Sequence, residues 1–194
     1  MISHYKMGED LKSKVYSKNV IEFVAVCVEF CSYLENFQDI TKDELTGRFC
    51  KFLPLIYLKA SMLEEIEPLT DLNMEVVVTE EHYNYILARL YNIYAEEDTY
   101  LEVFLEDMKY SETPISASIS EDLTDIYQDL KNFISVYEHG IEENMNDVLY
   151  TCLENFKEYW GQKLVNVLGA LHSLKYNNHS SDFEDDNNTI QELW

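Results

Sequence analysis

Leu123, Ile126, Tyr127, Leu130, Phe133, Ile134 and Tyr137 recur at intervals of one, three and four residues without a miss. That spacing gathers side chains on one face of an α-helix, whereas a strand would alternate every second residue. Four other segments carry similar stripes, so the chain is constrained to fold as packed helices. With only 5 Gly and 3 Pro, it also lacks the turns that an all-β sandwich needs. An apolar fraction of 46% supports a sizeable core, and 15 Tyr and 9 Phe make that core aromatic.

Read from the start, residues 1–16 are polar and mixed in charge, and are expected to be a flexible arm. Ser17 stands where it can cap a first helix ending near Phe37. Val20, Phe23, Val24, Cys27, Cys31 and Leu34 form its stripe. Further apolar residues leave only a narrow polar line through Glu22, Glu29 and Asn36, which predicts a central helix. Thr41 and Glu44 have the spacing of a capping box. They open a second helix through Leu45, Phe49, Phe52, Ile56, Ala60 and Leu63, which Pro54 should kink or divide.

A long connection follows, with Val76 to Val78 expected to lie extended. Thr79, Glu80 and Glu81 start a third helix, where negative charge suits the positive helix end. The region from Glu96 to Ala117 reads as irregular, with a short helix or turn. Ser120 is expected to cap the fourth helix and Gly140 to end it in a left-handed conformation. A long fifth helix runs from Ile141 to about Leu171. Gly161 and Gly169 interrupt it, where close approach of another helix is expected. The fold class is therefore all-α: a single-domain bundle of about five main helices over residues 17–176. Residues 177–194 are expected to form a disordered acidic tail, although Ile190, Leu193 and Trp194 are apolar enough to dock.

The net charge of −23 is uneven. Met1 to Lys59 is neutral, with eight bases and eight acids, whereas the remainder carries 29 acids and 6 bases. Such a surface repels nucleic acid and anionic membranes, because affinity for phosphate comes from Lys and Arg. It suits a basic protein partner, or imitation of a nucleic-acid backbone. Against this background the segment from Leu45 to Leu63 stands out, holding Arg48, Lys51 and Lys59 and no acid. These residues are candidate ligand-binding groups for an anionic ligand or an acidic peptide.

Motifs for other chemistry are missing from the sequence. No CxxC or zinc spacing occurs among Cys27, Cys31, Cys50 and Cys152, which are expected to be buried reduced thiols. None of the five His follows a Glu by three residues, so the di-iron pattern of carboxylate bundles is missing. Asp122, Asp125 and Asp129 lie opposite the fourth stripe, which predicts a solvated face. No nucleophile elbow or glycine-rich phosphate loop is present. No catalytic, cofactor or metal residues are assigned, and the reading leans against an enzyme. The first residues lack the apolar core of a secretory signal, and no run approaches a membrane span. A cytoplasmic location is expected.

Three segments carry a resemblance: FLPLIYLKASML from Phe52, SISEDLTDIYQDLKNF from Ser118, and YWGQKLVNVLGALHSL from Tyr159. Over about Val20 to Leu174 the chain resembles a bacterial family described as domain of unknown function 5063. The resemblance implies an all-helical intracellular domain and brings no catalytic residues to map. The function expected is a non-enzymatic interaction module using an acidic surface. The competing reading is a small-ligand binder or enzyme with an inter-helix pocket near Arg48, Lys51 and Lys59.

Overall fold

The structure, a computed structural model, describes residues 11–70, 76–101 and 116–177. The expected tail lies outside these residues except for Asn177, as does the stretch 102–115. Residues 11–15, placed in the arm on sequence grounds, are helical. Val15 is buried, and its carbonyl accepts a 2.7 Å hydrogen bond from the Tyr137 hydroxyl.

Three helices occupy the first half of the chain: α1 (Lys18–Asn36), α2 (Lys42–Ser61) and α3 (Glu80–Tyr94). A 3-10 turn (Ala95–Glu97) leads into a small antiparallel hairpin of β1 (Thr99–Leu101) and β2 (Ser116–Ser118), with Tyr100 opposite Ala117. Then follow α4 (Ile119–Tyr137), α5 (Glu142–Asn155), a π-helical turn (Phe156–Trp160) and α6 (Gly161–Tyr176). Among the described residues the bundle is all-α apart from this strand pair, whose two short strands fall at the ends of the region expected to be irregular. The 3-10 turn matches the short helix or turn expected there.

α4 is the central helix, packing on α1, α3, α5 and α6. Its stripe is buried from Leu123 to Ile134 and half-buried at Tyr137, and Phe133 sits 5.4 Å from Phe23 between ring centroids. α1 is more peripheral than its composition suggests, because Ile21 and Val28 face outward. α1 and α2 run antiparallel. Asn19 at the start of one donates to Met62 O at the end of the other, and Tyr33 meets Phe49 at the opposite end.

Local chemistry sets the helix ends. The Thr41–Glu44 capping box forms in full. Pro54 neither divides nor ends α2, because it lies on the exposed side of an otherwise well-packed helix. Ser17 occupies the N-cap of α1 without a side-chain bond. The cap of α4 is Ser118 and not Ser120, since Ser118 Oγ accepts from Glu121 N at 3.2 Å. Ser120 is instead bound by buried Asp98, which accepts from Ser120 N at 2.8 Å and from the Ser118 and Ser120 hydroxyls. Gly140 takes φ +71° just beyond α4, as expected of a left-handed residue.

The fifth stripe splits into α5 and α6 around the π turn, where Gly161 N–H donates to Phe156 O. A Cβ on Gly161 would press on that carbonyl and come within 2.8 Å of Phe156 Cδ2, so the close neighbour is its own preceding turn and not another helix. Gly169 has nothing within 4 Å of an added Cβ, so close approach does not explain it either.

The connection from α2 to α3 is tied down by side chains of α4 and α5. Asn132 Oδ1 accepts from Val77 N at 2.8 Å and Val78 N at 3.0 Å. Asp147 accepts from Leu69 N at 2.7 Å and Thr70 N at 3.0 Å, and Asn146 donates to Glu67 O. Val76 to Val78 pair with no strand among the described residues.

Candidate functional site

The three cations of α2 do not converge. Lys59 turns toward α1 and pairs with Glu22 at 2.6 Å, which holds that carboxyl below its ordinary range. Arg48 and Lys51 line a different place, a cleft of about 710 Å³ where the end of α1, the loop after it, the start of α2 and the last turn of α6 meet. Its walls include Tyr33, Asp39, Asp43, Glu44, Lys175 and Tyr176. Lys175 closes one side by pairing with Asp43 at 3.1 Å.

Charge pairing sets Arg48 and Lys51 apart. Lys12, Lys18, Lys42, Lys59, Lys131, Lys157, Lys163 and Lys175 each lie against a carboxylate. Arg89 donates to the carbonyls of Leu34, Glu35 and Phe37, closing the C-terminal end of α1. Arg48 and Lys51 make no ion pair or hydrogen bond among the described residues. The Arg48 guanidinium instead sits 5.5 Å from the centroid of the Tyr33 ring. The Tyr33 hydroxyl beneath is buried without a partner; burial pushes its pKa up and Arg48 opposes the shift. Such a cleft can bind an anionic group. Cys50 on its wall is a poor nucleophile, because burial pushes its thiol up.

The acidic side of α4 is not the solvated face that its spacing predicts. Lys163 reaches from α6 to Asp122 at 2.8 Å and Asp125 at 2.7 Å. Tyr83 and Tyr159 donate to Asp125, Tyr100 donates to Asp122, and Asn155 donates to Asp129 at 2.6 Å. Asp122 is buried, and α3, the hairpin and α6 all pack over this side. The Asp side chains thus act as acceptors for a buried polar layer.

A second layer joins α1, α3 and α4. Tyr127 donates to Glu35 at 2.8 Å, and its oxygen lies 2.7 Å from His82 Nε2, so that nitrogen carries the proton of the shared bond. Lys131 pairs with the same Glu35 at 2.8 Å. Burial raises the Tyr127 hydroxyl, and the Glu35 carboxylate raises it further. Nothing in the sequence marks His82 and Glu35 as partners through Tyr127, because they lie on separate helices.

The thiols of Cys27, Cys31 and Cys152 are buried and free, with pKa values pushed up by desolvation. Among the described residues no three His, Cys, Asp or Glu side chains stand where they could share a metal ion. Among the same residues no helix is long and apolar enough to cross a membrane.

The chain is similar to a solved structure, protein BF1032 from Bacteroides fragilis, at 46% identity and a TM-score of 0.73. The similarity covers 84% of this chain and 95% of that one. No curated protein matches the chain. The family described as a domain of unknown function (DUF5063) matches residues 14–177, nearly all of the helical domain, and the chain belongs to that family.

Proposed function

We propose that the protein is a non-enzymatic interaction module whose acidic surface engages a basic protein partner. The observation that carries this reading is the pairing pattern. Nearly every described lysine pairs with a carboxylate of the same chain. Exposed acids such as Glu29, Glu80, Glu81, Glu121 and Glu158 keep no such partner among the described residues. A surface with that excess steers cations toward itself and speeds encounter with a basic protein. Imitation of a nucleic-acid backbone is one form of this reading.

The test is affinity capture from native lysate across a salt series, with a Glu80→Lys, Glu81→Lys, Glu121→Lys variant beside the parent. A basic protein held at low salt, and lost both in the variant and at about 0.5 M salt, supports the reading. Capture that is indifferent to salt and to the charge reversals counts against it.

A second reading, a small-ligand site, is favoured by the cleft at Arg48 and Lys51. Lys59 is not part of that reading, because its ammonium is committed to Glu22.

A further inference from the structure

The outward face of α2 has a pattern of its own. Arg48, Lys51, Leu55, Leu58 and Met62 follow one another at intervals of three and four, so they form a single stripe along the helix. The other sides of α2 are packed on α1 and α6. Yet Leu55 is 40%, Leu58 52% and Met62 43% exposed. The stripe is thus cationic at one end, apolar at the other, and uncovered by the described residues.

We propose that residues 178–194 of this chain dock on that stripe. The path begins in the right place, because the last residues of α6, Lys175 and Tyr176, line the same cleft as Arg48 and Lys51. The segment has five acids and no Lys or Arg. Asp182, Glu184, Asp185 and Asp186 come first, and Ile190, Leu193 and Trp194 come last. From the end of α6 outward, the stripe presents its features in the same order, cations and then apolar side chains.

Length permits the match. The stripe from Arg48 to Met62 is about 21 Å long at 1.5 Å per helical residue. The segment reaches up to about 55 Å when extended. Tethering supplies an effective concentration on the order of millimolar, so a weak contact is populated and a free acidic peptide must compete with it. A second copy is a poorer occupant, since both molecules carry −23 charges. This inference stands apart from the acidic-surface reading, and either can fail alone.

The two tryptophans make a direct test on the full chain. Trp160 is fully buried, so acrylamide-quenchable emission reports Trp194. At low salt and low protein concentration, the quenching slope should be small. It should rise severalfold in an Arg48→Glu, Lys51→Glu variant, and again in Leu58→Asp, with far-UV circular dichroism unchanged. All three positions are exposed, so the fold should tolerate them. A Trp194 already quenched freely in the parent overturns the proposal. Protection that survives both variants places the segment elsewhere and overturns it too. Protection that grows with protein concentration assigns the stripe to a second copy and equally rejects the tail.

Discussion

Lys163 holds its ammonium 2.7 Å from Asp125 Oδ2, fastening α6 to α4 through a carboxylate that also accepts from Tyr83 and Tyr159. The pair is largely shielded from water, with side-chain exposures of 23% and 14%. Asp125→Ala removes at once the acceptor of three hydrogen bonds and leaves the half-buried Tyr83 phenol unpaired. A loss of about 2–4 kcal/mol is expected. Urea denaturation should report it as a lower midpoint at constant slope. A shift under about 0.5 kcal/mol would mean that the layer is wet and replaceable.

Asp129 is expected to behave in the opposite sense. Burial pushes its carboxyl up, only partly relieved by the bond from Asn155, and Asp125 adds to the rise. The folded pKa therefore lies above the unfolded one. Its contribution to stability is fullest below the unfolded value and is lost as pH rises through the folded value. Asp129→Asn should stabilise the protein at neutral pH and lose that advantage below about pH 4. Parallel melts at pH 7 and pH 3.5 decide it, and a variant that is weaker at pH 7 rejects the argument.

At Asp147 the sign reverses. Burial raises this carboxyl, but the bonds from Leu69, Thr70 and Asn146 outweigh it and leave the pKa below the usual carboxylate range. Its contribution is present above about pH 4 and drains away as pH falls through the folded value. Native-state hydrogen exchange should show the Leu69 and Thr70 amides losing protection on acidification before the amides of α4 do. Loss of both sets together would show that the connection opens only with global unfolding.

The two glycines of the fifth stripe make a paired prediction. Gly161→Ala forces a methyl onto the Phe156 carbonyl and ring, and should cost about 1–3 kcal/mol. Gly169→Ala meets open space on a regular helix and should add up to about 1 kcal/mol. Thermal melts of the two variants moving in the same direction would contradict this account.

Some of this architecture is legible in the residues alone, because helical stripes and caps are local. The α4 stripe and the Thr41–Glu44 box need nothing beyond their own spacing. Ser118 also stands three residues before Glu121, the signature that identifies it as the cap ahead of Ser120. The hairpin is different, since strands of three residues are too short to show a period. The reversal on the acidic side of α4 has a similar cause. Asp122 and Asp125 look solvated until Tyr83, Tyr100 and Lys163 arrive from three other elements. At the candidate cleft, charge against an acidic background marks Arg48, Lys51 and Lys59 alike and gives no means of separating Lys59. That separation depends on Glu22, which comes from another helix.

The π turn at Phe156–Trp160 makes the last third of the chain sensitive to bookkeeping of single residues. A wide turn holds one residue more than an α-turn, and each residue of a regular helix is worth about 100° of rotation. Deleting one residue there would let the turn close to a regular α-turn and keep Leu164, Val167 and Leu171 on the side they share with Leu149 and Cys152. A deletion elsewhere in α5 or α6 would swing one half against the other by roughly that angle. All five are buried, so after a deletion outside the turn the two halves of the helix could no longer face their present neighbours together. Single-residue length differences among relatives should therefore fall in the α2–α3 connection or in this turn, where Lys157, Glu158 and Tyr159 lie at the surface, and avoid the regular turns of α5 and α6.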